Sequence, residues 1–316
     1  MSFRLLIAAT AIALIPTFAS AQFKLDSRFQ DADGDLIADT PTDPSQQVDP
    51  STLIFAYTPV EDPAVYADVW SEFIDHLSKA TGKPVQFFPV QSNAAQLEAM
   101  RAGRLHIAGF NTGSNPIAVA CAGFSSFAMM ASADDSYGYE MEIITYPGSG
   151  IEKPEDLKGK NLAFTAETSN SGFKAPSALL KSEFGLEPER DFKPAFSGAH
   201  DNSILGVANK DYDAAAIANS VKARMIDRDV VKEDQLKVIY TSQTFPTTGY
   251  GLVYNLKPEL QKQIKDAFFS FDWKGTKLEA EFSKSGEAKF VPITFKENWA
   301  VIRQIDEANG VSYDCN

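Results

Sequence analysis

The chain has 316 residues, 44% of them hydrophobic, and a net charge of −13, which is length enough for two modest domains or lobes with cores of their own. Such an acidic surface argues against nucleic acid and anionic membranes as partners, and it repels an anionic ligand at long range, so any anion site must act through local dipoles. Three histidines in all, with no G-x-S-x-G elbow, H-E-x-x-H pair or P-loop lysine motif, argue against an enzyme.

Residues 1–21 read as a cleaved secretory signal. Arg4 precedes the apolar run LLIAATAIALIPTF, and Ala19-Ser20-Ala21 supplies a small-residue cleavage site. The run is too short to span a bilayer as a helix. No Cys follows the cleavage site, so the expectation is a soluble periplasmic protein that starts at Gln22.

Residues 22–50 read as an acidic linker rather than a folded element, with Pro41, Pro44 and Pro50 punctuating it. Within it Asp31, Asp33, Asp35, Asp39 and Asp43 fall at every-other or every-fourth spacing. Alternating carboxylates on a tight turn can wrap a hard cation such as calcium. The order resembles the DxDGDxxxD loops of calcium-stapled extracellular repeats. It departs from an EF-hand, because Gly34 precedes Asp35 and no Glu stands twelfth. A solvated acidic tether is the alternative reading.

The folded body begins with TLIFAYTPVEDP, a strand ending at Tyr57 and a loop holding Glu61 and Asp62. VYADVWSEFIDHLSKATG has apolar residues at helical spacing and Gly82 as its C-cap. PVQFFPV is a strand, and Ser92 and Asn93 cap NAAQLEAMRAGRL, with Asn93 and Gln96 approximating a capping box. EMEIITY is a strand, and IEKPEDLKGKNLAF gives a short helix, a turn and a strand. After Asp213, AAAIANSVKARMI passes from strand to helix. From Pro258 to Ile305 the pattern is helical, and Trp70, Trp273 and Trp299 suit helix packing. The βα alternation predicts parallel sheets with a ligand at the carboxyl ends of the strands.

Three segments repeat one theme: an apolar strand enters a loop rich in Gly, Ser, Thr and Asn, and the loop opens a helix. They are LHIAGFNTGSNPIAVA (Leu105–Ala120), NLAFTAETSNSGFKAPSALL (Asn161–Leu180) and FSGAHDNSILGVANKDYDAAAI (Phe196–Ile217). Helix N-termini carry unpaired N–H groups and a partial positive charge. Several aimed at one crevice, with hydroxyls and a His beside them, would hold a small oxyanion without an Arg.

Two cysteines, Cys121 and Cys315, in an exported chain predict one disulfide between the C-terminal tail and the helix after Pro116. The alternative is a free thiol that binds a soft metalloid such as arsenite.

PEDLKGKNLAF (Pro154–Phe164), followed by a Ser-Asn-Ser-Gly loop, resembles the second lobe of type II periplasmic solute-binding proteins. The order GRLHIAGFN, TSNSGF and GAHDNSILGVANKDYDAA, within about Thr52 to Phe295, is similar to the phosphate/phosphite/phosphonate-binding subunits of ABC importers, the phosphonate-binding protein family. That resemblance implies two α/β lobes joined by a two-strand hinge that close on their ligand. Residues 51–143 with 250–316 would form lobe 1 and residues 144–249 lobe 2, with crossings near Glu142–Tyr146 and Thr244–Tyr254. It implies a monomer that captures phosphonate, phosphite or phosphate and delivers it to an ABC permease, with no catalysis and no cofactor beyond the possible calcium. The alternative is an oxyanion receptor, arsenite included, that presents its ligand to a sensor kinase.

Carried over residue by residue, the family's phosphoryl-binding Ser-Thr-Ser run matches Ser169, Asn170 and Ser171, and its His after Gly matches His200, beside Asp201 and Asn202. The first-lobe loop matches Phe110, Asn111 and Thr112, and the preceding helix cap matches Asn93. Tyr57 and Tyr250 complete the expected ligand-binding set. A protonated His200 would add charge, with affinity then falling at high pH. The family commonly has Tyr where Phe110 stands, and an acidic residue for an ammonium where Ser220 stands. An aminated phosphonate would therefore need Asp201 or Glu61 as a substitute. Each residue also has a purely structural reading: Ser169 and Ser171 as caps, Asn111 and Thr112 as a turn, Phe110 as core.

Overall fold

The computed structural model describes residues 23–313 and 315, so the signal-peptide reading of residues 1–21 lies outside the described residues. In chain order the strands are β1 (Leu53–Tyr57), β2 (Val85–Phe87), β3 (Ile107–Phe110), β4 (Phe124–Ala131), β5 (Tyr139–Thr145), β6 (Asn161–Phe164), β7 (Lys193–Phe196), β8 (Ala214–Ala218), β9 (Lys237–Phe245), β10 (Gly249–Val253) and β11 (Lys289–Pro292). They form a six-stranded sheet in the order β11-β4-β10-β3-β1-β2 and a five-stranded sheet in the order β7-β6-β8-β5-β9. Each sheet is the centre of one α/β lobe.

Both sheets are mixed rather than parallel. β1 runs parallel to β2 and β3, and β6 parallel to β7 and β8, as βα alternation requires. β10 is antiparallel to β3 and β4, and β5 is antiparallel to β8 and β9. β5 and β10 are the strands by which the chain enters a lobe from the other one, and they arrive from the opposite end.

The crossings correct the expected boundaries. β4 ends at Ala131 and β5 begins at Tyr139, pairing with β9 from Tyr139 to Thr145, so a boundary at residue 143 would cut one continuous strand. The first crossing is therefore residues 132–138, and the return runs through Pro246–Thr248. The C-terminal part is not all helical, because β11 covers the edge of β4.

The helix expected after Asp62 is two helices, Ala64–Val69 and Ser71–Thr81, broken at Trp70, and Gly82 ends the second with φ +64°. Trp70 is fully buried and meets Phe55, Tyr57, Phe73, Tyr250, Phe282 and Phe290 in one aromatic cluster. This cluster is the core under the cleft-facing end of lobe 1.

Residues 23–50 are not a tether. Phe23 packs on Phe295 and Tyr313 with ring centroids 5.1 and 5.0 Å apart, and Phe29 packs on Tyr254 at 4.9 Å. Asp26 N–H donates to the Ala120 carbonyl at 2.9 Å, and Val48 bridges to Leu256. Scattered apolar side chains thus fasten an otherwise polar strap to lobe 1, while its carboxylates satisfy the backbone locally: Asp33 accepts from Asp35 N–H, Asp35 from Ile37 N–H and Asp43 from Ser45 N–H. Ligand oxygens of Asp31, Asp33 and Asp35 lie within 4.8 Å of one another. Asp39 and Asp43 are outside that group, since Asp39 accepts from Ala32 N–H and Asp43 caps the turn Pro44–Gln46. Five converging carboxylates are therefore reduced to three.

Cys121 and Cys315 are bonded to each other, and no cysteine is free. The bond ties the tail to the helix Asn115–Ala122 and overturns the free-thiol alternative.

Candidate ligand site between the lobes

The loops after β1, β3, β6 and β7 and the helix after β8 enclose a cavity of about 50 Å³ between the two lobes. That volume admits roughly four water molecules, which suits a small ligand. Of the expected residues, Tyr57, Asn111, Thr112, Ser169, Asn170, Ser171, His200 and Tyr250 line it.

On the lobe 2 wall, Ser169 caps the π-turn Asn170–Lys174, its Oγ accepting from Gly172 N–H at 3.0 Å. Only glycine fits at 172, where a Cβ would come within 1.9 Å of Thr165 Oγ1. Ser171 is buried, and its hydroxyl bonds no other group among the described residues. Asn170 Nδ2 donates to the Tyr139 hydroxyl at 3.2 Å, and its Oδ1 has no partner among the described residues.

His200 opens the helix His200–Ala208. Its Nδ1 accepts from Ala218 N–H at 3.2 Å, so the ring proton sits on Nε2, 3.5 Å from Ser169 Oγ. Burial pushes its pKa down to about 4, so the imidazole is neutral at pH 7. This corrects the expectation of a charged His200. A neutral Nε2–H donates; it cannot take a proton from Ser169.

On the lobe 1 wall, Tyr57 and Tyr250 are buried with rings stacked at 6.4 Å, and Tyr250 hydroxyl reaches Met130 Sδ at 3.3 Å. Thr112 Oγ1 donates to the Pro246 carbonyl at 2.7 Å, and Trp299 Nε1 donates to the Thr112 carbonyl at 3.0 Å. Trp299 therefore also holds a cavity loop, beyond filling the core.

Three expected site residues lie elsewhere. Phe110 is on the far face of the strand that delivers Asn111, fully buried on Phe124 at 4.8 Å. Asn93 bridges the lobes at the edge of the site: Nδ2 donates to Thr168 Oγ1 at 2.9 Å, and Oδ1 accepts from Asn111 Nδ2 at 2.9 Å. Ser92, not Asn93, caps its helix, and Gln96 bonds the Gly109 carbonyl instead of closing a capping box. Asp201 is also a cross-lobe contact, accepting from Asp62 N–H at 3.2 Å. The helix Asn115–Ala122 starts beyond the lining, because Asn111 Oδ1 already takes the Gly113 and Ser114 N–H groups at 3.1 and 2.9 Å.

The strand-to-helix passage read after Asp213 is the helix Asn219–Asp227, but sequence reasoning did not assign its Val221 and Arg224 to the site; with Ser220 they line the cavity. The signal was present, since AAAIANS repeats the strand-to-polar-to-helix theme. Arg224 corrects the expectation of an Arg-free site. It is buried, its Nε lacks a hydrogen-bond partner among the described residues, and it lies 3.4 Å from Glu61 and 3.6 Å from Glu281. Arg228 pairs with the same two carboxylates, Glu281 at 2.8 Å and Glu61 more closely still. Two lobe 1 acids thus grip two lobe 2 arginines across the cleft. Glu287 also lines the cavity, its carboxyl raised by burial and bonded by Ser285 Oγ at 2.5 Å; nothing in the local sequence marks it.

A sequence model of the family described as ABC transporter, phosphonate, periplasmic substrate-binding protein matches residues 55–299. The chain is 28% identical over 298 residues to the phosphate-import protein PhnD of Mycolicibacterium smegmatis, covering 88% of this chain and 89% of that one. It is 29% identical over 206 residues to the phosphonates-binding periplasmic protein of Escherichia coli, covering 64% and 61%. Among solved structures, a binding component of a Pseudomonas aeruginosa ABC phosphonate transporter superposes with a TM-score of 0.74 at 24% identity, covering 82% of this chain and 86% of that one. A Prochlorococcus marinus protein solved in complex with methylphosphonate gives 0.74 at 19%, covering 83% and 100%. Both have the two-lobe fold found here.

Proposed function

Because this chain belongs to the family of periplasmic substrate-binding proteins of phosphonate ABC transporters, we propose that it captures a small phosphorus oxyanion between its lobes and hands it to a membrane permease. The observation that carries this reading is the cavity itself. It is small and lined by a free Ser171 hydroxyl, a neutral His200 Nε2–H and a buried Arg224, with both lobes contributing walls. The names of the two relatives, one a phosphate-import and one a phosphonates-binding protein, make phosphate and a simple phosphonate such as methylphosphonate the ligands to try first, with phosphite added from the sequence reading.

The reading includes binding without turnover. His200 presents a donor to the cavity and so cannot serve as the base for Ser169, which supports this part of the reading. It also includes export, with the lobes closing in the periplasm before the closed form meets its permease.

Calorimetry of the mature chain against phosphate, phosphite and methylphosphonate tests this, with sulfate and glutamate as controls. Binding by at least one phosphorus oxyanion is expected. Ser171→Ala removes one hydroxyl donor to a charged acceptor and should weaken that binding about ten- to hundred-fold. Heat with a control ligand and none with any phosphorus oxyanion would overturn the reading.

A further inference from the structure

Lys174 ends the π-turn that begins with the cavity-facing Ser169–Ser171, yet its own side chain leaves lobe 2. Its Nζ donates to the Gly113 carbonyl of lobe 1 at 2.8 Å and pairs at 2.8 Å with Asp306 on the C-terminal helix Ala300–Ala308. The pair is sealed from solvent, with side-chain exposures of 7% and 0%. Asn309 Nδ2 returns a bond to the Lys174 carbonyl at 3.0 Å, and the Tyr313 hydroxyl donates to Asp306 Oδ2 at 2.7 Å. Gly113 lies in the loop Asn111–Ser114, so one ammonium ties together cavity loops from opposite lobes. Lys174 is not itself among the residues that line the cavity.

A lysine side chain loses much rotamer freedom on burial, and its charge loses its hydration. Those costs are offset only where carbonyl and carboxylate are both in place. The carbonyl belongs to lobe 1, and the carboxylate to a helix that lies against the π-turn of lobe 2 while Trp299 and the Cys121–Cys315 bond hold it to lobe 1, so the arrangement is complete only when the lobes meet.

We propose that Lys174 is a positioning residue for ligand capture, fastening the Ser169–Ser171 loop to Gly113 of lobe 1 and to Asp306 of the C-terminal helix on closure and so slowing escape of the ligand. This rests on the cavity being the ligand site. The tail beyond Asp306, held by Tyr313 and by the Cys121–Cys315 bond, is then part of the binding apparatus.

The test uses the full mature chain with inorganic phosphate and methylphosphonate as probes, read by stopped flow and calorimetry. Lys174→Met strands the Asp306 carboxylate in the closed form, so dissociation is expected to quicken about a hundredfold with association nearly unchanged. The melting temperature of the free protein should stay near wild type. Lys174→Met/Asp306→Leu removes the stranded charge and should recover most of the lost residence time. A Lys174→Met variant that releases ligand at the wild-type rate overturns the proposal, as does a double variant no better than the single one. If wild type binds neither probe, the reading of the cavity fails instead. Small-angle scattering of the free proteins then decides the role of Lys174: a larger radius of gyration in Lys174→Met is expected, and equal radii overturn it.

Discussion

His200 Nδ1 accepts the backbone N–H of Ala218, the last residue of β8, at 3.2 Å, and that one bond fixes which ring nitrogen faces the cavity. The imidazole is anchored as a neutral Nε2–H donor by the strand next to it.

The pH dependence follows with its sign. A histidine whose pKa falls from 6.5 unfolded to about 4 folded binds its proton more readily in the unfolded chain between those values. Its stabilising share is complete above 6.5 and is lost as pH falls towards 4, about 3 kcal/mol at most. In His200→Gln, whose amide can supply a similarly placed N–H, the slope of stability between pH 6.5 and 4 should flatten. Affinity at pH 7 should drop less than in His200→Ala. Urea melts across pH, paired with ligand titrations, check both. A wild-type slope in the Gln variant would contradict the neutral assignment.

The cross-lobe grip of Glu61 and Glu281 on Arg224 and Arg228 makes a second prediction. Burial raises Glu61, but Arg224, the Tyr66 hydroxyl and Arg228 outweigh it and hold the carboxyl below its ordinary value. Its contribution is therefore present above about pH 4.5 and is lost only as pH falls through the lowered value. Arg228→Met leaves the Glu61 carboxylate with one arginine fewer in the closed form, while the open form hydrates both ends. We expect ligand affinity to fall about tenfold or more, chiefly through faster dissociation. An unchanged dissociation rate would mean that the grip persists when the lobes part.

Much of this was legible in the sequence, and the failures have physical causes. Strand-to-loop-to-helix passages marked Ser169–Ser171 and His200, because small polar residues at helix starts leave a local signature. Phe110 was misplaced by one position of strand alternation: its neighbour Asn111 faces the cavity and Phe110 the core. The sequence reading puts Asn93 and Asp201 among the ligand-binding residues, whereas both make contacts across the two lobes, which local pattern does not encode. Arg224 and Glu287 come from segments far apart in the chain and meet only through the fold. The strap 23–50 looked like a linker because its composition is polar, whereas Phe23, Phe29 and Val48 suffice to fasten it.

The disulfide gives a stability prediction. A bond closing a loop of this length constrains the unfolded chain by about 5 kcal/mol in the chain-entropy view, and measured values are commonly about 2–4 kcal/mol. The tail keeps its Tyr313–Asp306 and Phe23–Tyr313 contacts without it. Cys121→Ser/Cys315→Ser should therefore fold, with a lower urea midpoint and a nearly unchanged slope. Wild type in reductant should match the double variant. A midpoint unmoved in both would mean that the bond adds nothing to stability.

Gly113 offers the most direct test of closure. A Cβ built there would stand 2.3 Å from the Thr168 carbonyl oxygen and 2.5 Å from Asn170 N, both backbone atoms of the opposite lobe. Backbone cannot swing aside as a flexible side chain can, so Gly113→Ala should hold the lobes apart by a wedge one methyl thick. In the open form that methyl faces solvent, and the free protein should melt near the wild-type temperature. Closure should suffer twice, because Lys174 Nζ must also reach the Gly113 carbonyl. The expected result is a loss of affinity of about a hundredfold, with less compaction on adding ligand in small-angle scattering. Full compaction and wild-type affinity in Gly113→Ala would show that lobe 1 and the Thr168–Asn170 backbone do not meet in the liganded state.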